Sequence, residues 1–467
     1  MRNPVYKAIA CVTIVSMLGI FSPSAGAFIP STLVSIPSLA DGTSGKTTEP
    51  GFEAVAEPSL SPDSEPAPAS EPEPSPATES APNPTTAPDL SAKAVLTAVG
   101  DIIPHQAVIS GGLQKDKSYS YDYLFNDISM YFKQSDCAIA NYEGTLNGPP
   151  YSGYPMFGAP DAIATAMKTA GIDLVTTANN HAFDRKLPGL VRTPKIFRQA
   201  GIDVVGTRSD AKEPLFEVMD VNGIKIGITA YTWETIGTKT GRSLNGMNMP
   251  VEANPLIDSF NPYRPERFKQ DMAAMKTRIQ AMREADAECL VFLMHWGDEY
   301  KTVSNQTQRK LAQYLADQGV DIIIGHHPHV LQEISVLSSA VSGKNTLVYY
   351  SLGNFLANMH YTTKGTKGNA EDAVMARVEI HRDSTGKISV TKGEYLETYV
   401  WKSNVGGKTI HRIIPIRAAI LVPNQFGIGK QVILLENSTN RIAKILGKSN
   451  GLKNGILIGE WIGEPNQ

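Results

Sequence analysis

The sequence predicts an α/β sandwich of two sheets flanked by helices. Three observations lead to this class. Apolar runs of strand length alternate with segments of helical spacing over residues 94–205. Later apolar runs come in hairpin-like pairs, the pattern of antiparallel strands. Hydrophobic residues make up 42% of the 467, enough to bury a substantial core and to exclude wholesale disorder.

Residues 94–100 (AVLTAVG) read as a buried strand that delivers Asp101 at its end. Helical spacing follows over 119–133, and a second buried strand over 136–142 ends on Glu143. A helix is expected over 160–170, begun by Pro160 and ended by Gly171. The strand expected at 172–178 leads into Asn179-Asn180-His181, and a helix over 190–200 leads to a strand at 202–205. Two strand patterns within 216–231 are joined by Asn222-Gly223, a strong hairpin signal. Residues 232–262 are polar and rich in Gly and Asn, and are expected to form a long loop beside the site. A helix over 265–285 precedes a strand over 289–294 that ends at His295. A helix at 306–318 and a strand at 321–324 then lead to Gly325-His326-His327-Pro328-His329. Hairpin-like strands are expected at 330–337 and 346–351, with more strands to about 402. No internal repeat is present, and residues 403–467 stay unassigned as a C-terminal extension.

The amino terminus has a different character. Arg2 and Lys7 precede a 14-residue apolar run over 8–21. That is shorter than the about 18–20 residues that span a bilayer comfortably. Ala25 and Ala27 supply small residues at the −3 and −1 positions of a cleavage site, so residues 1–27 read as a signal peptide or an uncleaved anchor. The expectation is an exported protein of the cell envelope, membrane-tethered or secreted. Residues 41–92 are dominated by Pro, Ser, Glu, Ala and Thr, and 11 of the chain's 31 prolines lie between Pro50 and Pro88. Such a stretch cannot bury enough surface to offset its ordering entropy and reads as a disordered linker. It carries most of the negative charge, with −9 over residues 49–92 against +4 over 93–467. A charge of +4 spread over the folded part is too mild for a nucleic-acid binder. Three cysteines cannot make a disulfide framework, and Cys137 and Cys289, both in apolar runs, are expected to be buried free thiols.

The candidate chemistry is positional. Asp101, Glu143, Asn180-His181, His295 and the His326/His327/His329 cluster each follow the carboxyl end of an expected buried strand, where ligand sites gather at a parallel sheet edge. Imidazoles, carboxylates and an amide carbonyl together suit one or two divalent ions such as Mn, Fe or Zn. Two ions about 3.5–4 Å apart can clamp a phosphoryl group and activate water. Each residue also has a duller explanation. Asp101 fits a turn or helix cap, Glu143 a surface acid, Asn180-His181 a turn, and His295 a satisfied core histidine. Three imidazoles within four residues make little sense as packing. His105 is a weaker candidate, while His360, His381 and His411 fit solvent or packing roles. No G-x-S-x-G occurs, and Gly111-Gly112 makes no phosphate loop.

Six strings in order carry a resemblance: VGDII from Val99, ANYEG from Ala140, TANNHAFD from Thr177, HWGDEY from His295, GHHPHV from Gly325 and YSLGNF from Tyr350. Over about residues 95–356 the chain resembles the CapA capsule-synthesis, or poly-γ-glutamate biosynthesis, proteins. That family looks like a branch of the calcineurin-like metallophosphoesterases, which implies a four-layer αββα sandwich over residues 93–402. The resemblance implies metal-ligand roles for Asp101, Glu143, Asn180, His295, His327 and His329, with His326 and His105 less well placed. It implies that His181, beside Asn180, is the candidate acid or transition-state stabiliser. Glu143 stands where the wider superfamily has a bridging Asp. The superfamily's Asp-x-His is missing, because Ile102-Ile103-Pro104 separates Asp101 from His105. Two functions are expected on these grounds. One is a metal-dependent hydrolase of phosphoesterase type acting on an envelope polymer or its precursor. The other is a non-catalytic accessory subunit that assembles or exports an anionic polymer such as poly-γ-glutamate beside membrane partners of a synthase complex.

Overall fold

The first apolar run becomes β1 (Ala92–Ile102) in the computed structural model, which describes residues 89–238, 241–363 and 365–462. The signal segment expected at 1–27 and all of the expected linker before residue 89 lie outside the described residues. After β1 come α1 (Gln106–Gly112), α2 (Ser129–Phe132), β2 (Cys137–Tyr142), α3 (Ala162–Ala170), β3 (Leu174–Thr176), α4 (Lys186–Gln199) and β4 (Asp203–Val205). The four strands run parallel in chain order. Parallel neighbours need crossovers, which the helices supply. Gly171, at φ 105°, closes α3 in the left-handed conformation that an L side chain resists. The helix expected over 119–133 is a correction. That stretch holds one 3-10 turn (Asp122–Leu124) and the four-residue α2. Tyr121, Leu124, Phe125, Ile128 and Phe132 are all buried, so the apolar spacing reports packing. Neither piece has a side-chain cap, and short helices are marginal without one.

The second sheet begins with β5 (Glu217–Val221) and β6 (Ile224–Trp233), an antiparallel hairpin turned by Asn222 and Gly223 at φ 51° and 80°. The stretch expected as a loop carries a small ribbon, β7 (Ser243–Leu244) with β8 (Met247–Asn248), and then β9 (Ser259–Phe260). Next come α5 (Pro265–Glu284), β10 (Cys289–His295), α6 (Gln306–Asp317), β11 (Ile322–His326), β12 (Ile334–Ser338) and β13 (Asn345–Tyr349). Pro265 opens α5, where its missing N–H costs nothing. Asn305 and Gln308 form a reciprocal capping box at α6, a device that stabilises by about 1 kcal/mol. The order is β12-β13-β11-β10-β6-β5, with β6, β10, β11 and β13 parallel.

The chain then returns to the first sheet. β14 (Asn354–Leu356) pairs with the end of β1, and β15 (Asp372–Arg382), β16 (Ile388–Val405) and β17 (Lys408–Pro415) extend the sheet antiparallel. The stretch unassigned from sequence supplies α7 (Ile416–Leu421), α8 (Val432–Leu446), β18 (Gly451–Lys453) and β19 (Ile456–Glu460). β19 pairs with β16, and Leu435, Ile442 and Leu446 of α8 join the core between the sheets. That core also holds Leu96 of β1, Ile228 of β6, Val291 of β10 and Ile324 of β11. The other face of the first sheet packs Val99 and Ala140 against Ile163 and Phe197 of α3 and α4. The other face of the second packs Phe292 and Ile323 against Met275 and Leu311 of α5 and α6. The layers are helix, sheet, sheet, helix. Cys137 and Cys289 are buried free thiols.

One buried acid ties α8 to the sheet. Glu397 of β16 accepts from Thr439 Oγ1 at 2.8 Å, and burial pushes its pKa from 4.5 up to about 7. The folded state therefore holds a proton that the unfolded chain releases between those values. Stability is fully present below about pH 4.5 and falls as pH rises through about 7. Glu397→Gln keeps the acceptor and removes the charge. Its melting temperature is expected to match wild type at pH 4.5 and to exceed it at pH 8, by an increment worth about 1–3 kcal/mol. Equal melting curves at pH 8 would sink this account.

Candidate metal centre

The residues singled out from sequence come from the edges of both sheets, a correction to the single edge expected. Asp101 is the penultimate residue of β1, and Glu143 and Asn180-His181 follow the ends of β2 and β3 in the first sheet. His295 ends β10, and His326 ends β11, in the second. The inter-sheet core brings the two edges together, so carboxylates face imidazoles. Asp101 Oδ1 accepts from Asn141 Nδ2 at 2.7 Å, and Oδ2 lies 3.2 Å from His329 Nδ1. Glu143 Oε1 lies 3.8 Å from both His295 Nε2 and His329 Nε2. His295 Nε2 also faces Asn180 Oδ1 at 2.7 Å.

These distances define two triads, Asp101–Glu143–His329 and Glu143–His295–His327, whose ligand atoms lie close enough to hold one ion each. Glu143 belongs to both, as a bridging carboxylate must. A third group, Glu299–His327–His329, brings in an exposed carboxylate that sequence reasoning passed over, although it lies within the HWGDEY string. His326 is the register decision. It stands in none of these groups, and its Nε2 faces the Val99 carbonyl at 3.3 Å. His105 also stands apart: its Nδ1 accepts from the Asn358 N–H, and its ring meets Phe157 edge-on at 5.2 Å. His411, expected in a solvent or packing role, is fully buried with Nε2 2.8 Å from Asn358 Oδ1.

Does this donor set fit a divalent cation? Both Glu143 oxygens are buried without a hydrogen-bond partner. Orphaned buried acceptors are costly, and a cation satisfies several at once. Burial pushes the Glu143 carboxyl well above the usual range, with Asp101 adding repulsion. It pushes His295 well below the ordinary imidazole value and His327 down to about 3, leaving neutral rings with free lone pairs. His329 goes the other way. Burial alone would lower it, but the Glu143 and Asp101 carboxylates outweigh that and raise it to about 9. Without a metal, the proton on His329 is the positive charge that offsets Asp101. The residues fit.

His181 lies at the rim. Its Nδ1 is 2.8 Å from Asp184 Oδ2 and 3.3 Å from Asn245 Nδ2 of the β7–β8 turn. Asp184 Oδ2 also accepts from the Phe157 N–H at 2.7 Å, and the Phe157 ring packs on His181 at 4.6 Å. Asp184 ends the TANNHAFD string, yet nothing local marks it as the orienter of His181. Asn354 of the YSLGNF string plays a matching part, with Oδ1 3.0 Å from His329 Nδ1. Asn179 donates to the Tyr142 carbonyl and caps the His181 N–H, which fixes the turn that carries Asn180.

Comparison with known proteins identifies relatives of this chain. The family model described as bacterial capsule synthesis protein PGA_cap matches residues 95–359. The capsule biosynthesis protein CapA of Bacillus anthracis is 28% identical over 309 residues, covering 64% of this chain and 66% of that protein. The PGA biosynthesis protein CapA of Bacillus subtilis is 28% identical over 326 residues, covering 67% and 76%. This chain thus spans slightly less than two thirds of the first relative. Among solved structures, the NAD nucleotidase of Haemophilus influenzae aligns with a TM-score of 0.38 at 13% identity, covering 79% of this chain and 64% of that one.

Proposed function

This chain belongs to the PGA_cap family of bacterial capsule synthesis proteins, and on that premise we propose that it serves poly-γ-glutamate capsule biosynthesis through a divalent-metal centre of metallophosphoesterase type. The observation that carries the hydrolytic reading is Glu143, buried, unpartnered and common to two ligand triads. Asp101, Glu143, Asn180, His295, His327 and His329 would hold one or two ions, and Mn, Fe or Zn all suit the donor set. Bound there, the metal supplies Lewis acidity to a phosphoryl oxygen and makes water a better nucleophile. The chain's own residues do the rest. Asn141 and Asn354 fix Asp101 and His329, so the ligands are set before any substrate arrives. With Nδ1 engaged by Asp184, the His181 ring leaves Nε2 to pass a proton to a leaving oxygen. An apolar N-terminal run followed by small residues supports export to the cell envelope.

Elemental analysis of the purified full chain, beside the Asp101→Ala/His295→Ala double variant, tests the centre. About one or two Mn, Fe or Zn per chain is expected in wild type and near none in the variant. Phosphate release from a phosphoester panel and polymer output in cells carrying His295→Ala should fall together. Metal-free protein that takes up none on reconstitution, with polymer output unchanged by His295→Ala, would leave the non-catalytic role in polymer assembly or export.

A further inference from the structure

Beside the metal ligands lies a slot of about 190 Å³ that none of the preceding chemistry uses. Trp233 at the end of β6, Tyr263, and Trp296 next to His295 all line it. The Trp233 ring stands 5.1 Å from the His327 ring, so one indole borders both the slot and the candidate centre. A wider hollow of about 560 Å³ shares Trp233 and Tyr263 among its lining residues.

Three features define what fits. Trp233 and Tyr263 meet edge-to-face, with centroids 6.0 Å apart and planes 67° apart. That corner offers one flat face and one edge, not the two parallel faces that sandwich a planar base. Trp233 Nε1 is buried, so the indole meets the slot with its apolar ring and not with its N–H. Asp298 lines the slot with one carboxylate oxygen held by Asn305 Nδ2 at 2.9 Å, and no Lys or Arg joins it among the lining residues. A carboxylate-bearing chain is repelled there, whereas hydroxyl groups find an acceptor.

We infer that this slot is a subsite for a neutral polyhydroxylated ring, the glycosyl part of a sugar phosphate whose phosphoryl group faces the metal centre. The inference rests on the phosphoesterase reading and names its substrate class. The ring's C–H face packs on Trp233, and a hydroxyl donates to Asp298. A polyglutamate segment is disfavoured at this position by the like charge of Asp298.

Calorimetric titration of the Mn-reconstituted full chain tests it. The probes are glucose 1-phosphate, adenosine monophosphate, inorganic phosphate and a short γ-glutamate oligomer, with phosphate release followed in parallel. Glucose 1-phosphate is expected to bind at least about tenfold more tightly than the other three, and to lose about five- to tenfold in Asp298→Asn and in Trp233→Leu. Asp298 is exposed, so its variant tests the slot even where Trp233→Leu fails to fold. Preference for the nucleotide or the oligomer, or unchanged affinity in Asp298→Asn, overturns the inference. Sugar-phosphate binding without phosphate release keeps the slot and defeats the hydrolytic reading. Release from 4-nitrophenyl phosphate with no preference for the sugar phosphate does the reverse.

Discussion

Glu143→Gln is expected to abolish metal binding while leaving the metal-free fold intact. Gln has nearly the same shape, but it brings no charge to a position shared by two triads. Removing a partner beyond the ligands already costs about 10–100-fold in metal affinity, and losing a bridging ligand should cost about 100-fold or more. Stability gives an independent readout. Wild type should melt higher when Mn is added, because metal binds only the folded state. The variant should show almost no such rise. Without metal it should be at least as stable as wild type, since the carboxylate is buried with neither oxygen partnered. Glu143→Gln protein that keeps wild-type metal content and the same rise would remove Glu143 from the centre.

Gly100→Ala should have the largest effect on the fold itself. A Cβ at Gly100 would stand 2.0 Å from the Gly353 carbonyl oxygen, which accepts from the Asp101 N–H at 3.0 Å. Here β1 exchanges β15 for β14 as its neighbour, and the register with β2 shifts between Val99 and Asp101. The extra methyl must push β14 away and carry Asp101 with it. The expected loss is about 3 kcal/mol or more, measured by denaturant unfolding, with reduced metal content in the fraction that stays folded. Gly325→Ala meets the same obstacle, with a Cβ 2.0 Å from the Tyr350 carbonyl oxygen beside the Trp296 indole. A Gly100→Ala protein as stable as wild type would show that the close approach of β1 and β14 is not needed.

Much of the candidate centre was legible because a buried strand is a short apolar run, and the residue just after that run stands at the strand's end in space. Asp101, Glu143 and His295 could be named for that reason, as could the hairpin at Asn222-Gly223, whose two positive φ angles suit Asn and Gly. The choice among His326, His327 and His329 could not be made this way. β11 ends at His326, which turns its ring to the Val99 carbonyl, while His327 and His329 adopt φ of 97° and 57°. Such angles are uncommon for histidine, so the surrounding structure holds them, and the spacing of the apolar runs carries no trace of the cause.

The sequence by itself determined which strands are buried, which residues stand at their ends and which family the six strings resemble. Periodicity, turn residues and spacing are local, and they act on a chain segment wherever it lies. Only the tertiary structure decided that the candidate ligands come from two sheets, that Glu143 is common to two candidate triads, and that Asp184 lies against His181. It also decided that Trp233 and Asp298, 65 positions apart, line one slot. Those facts depend on how two sheet edges meet across a shared core, and contacts between distant segments exist only after that core has closed.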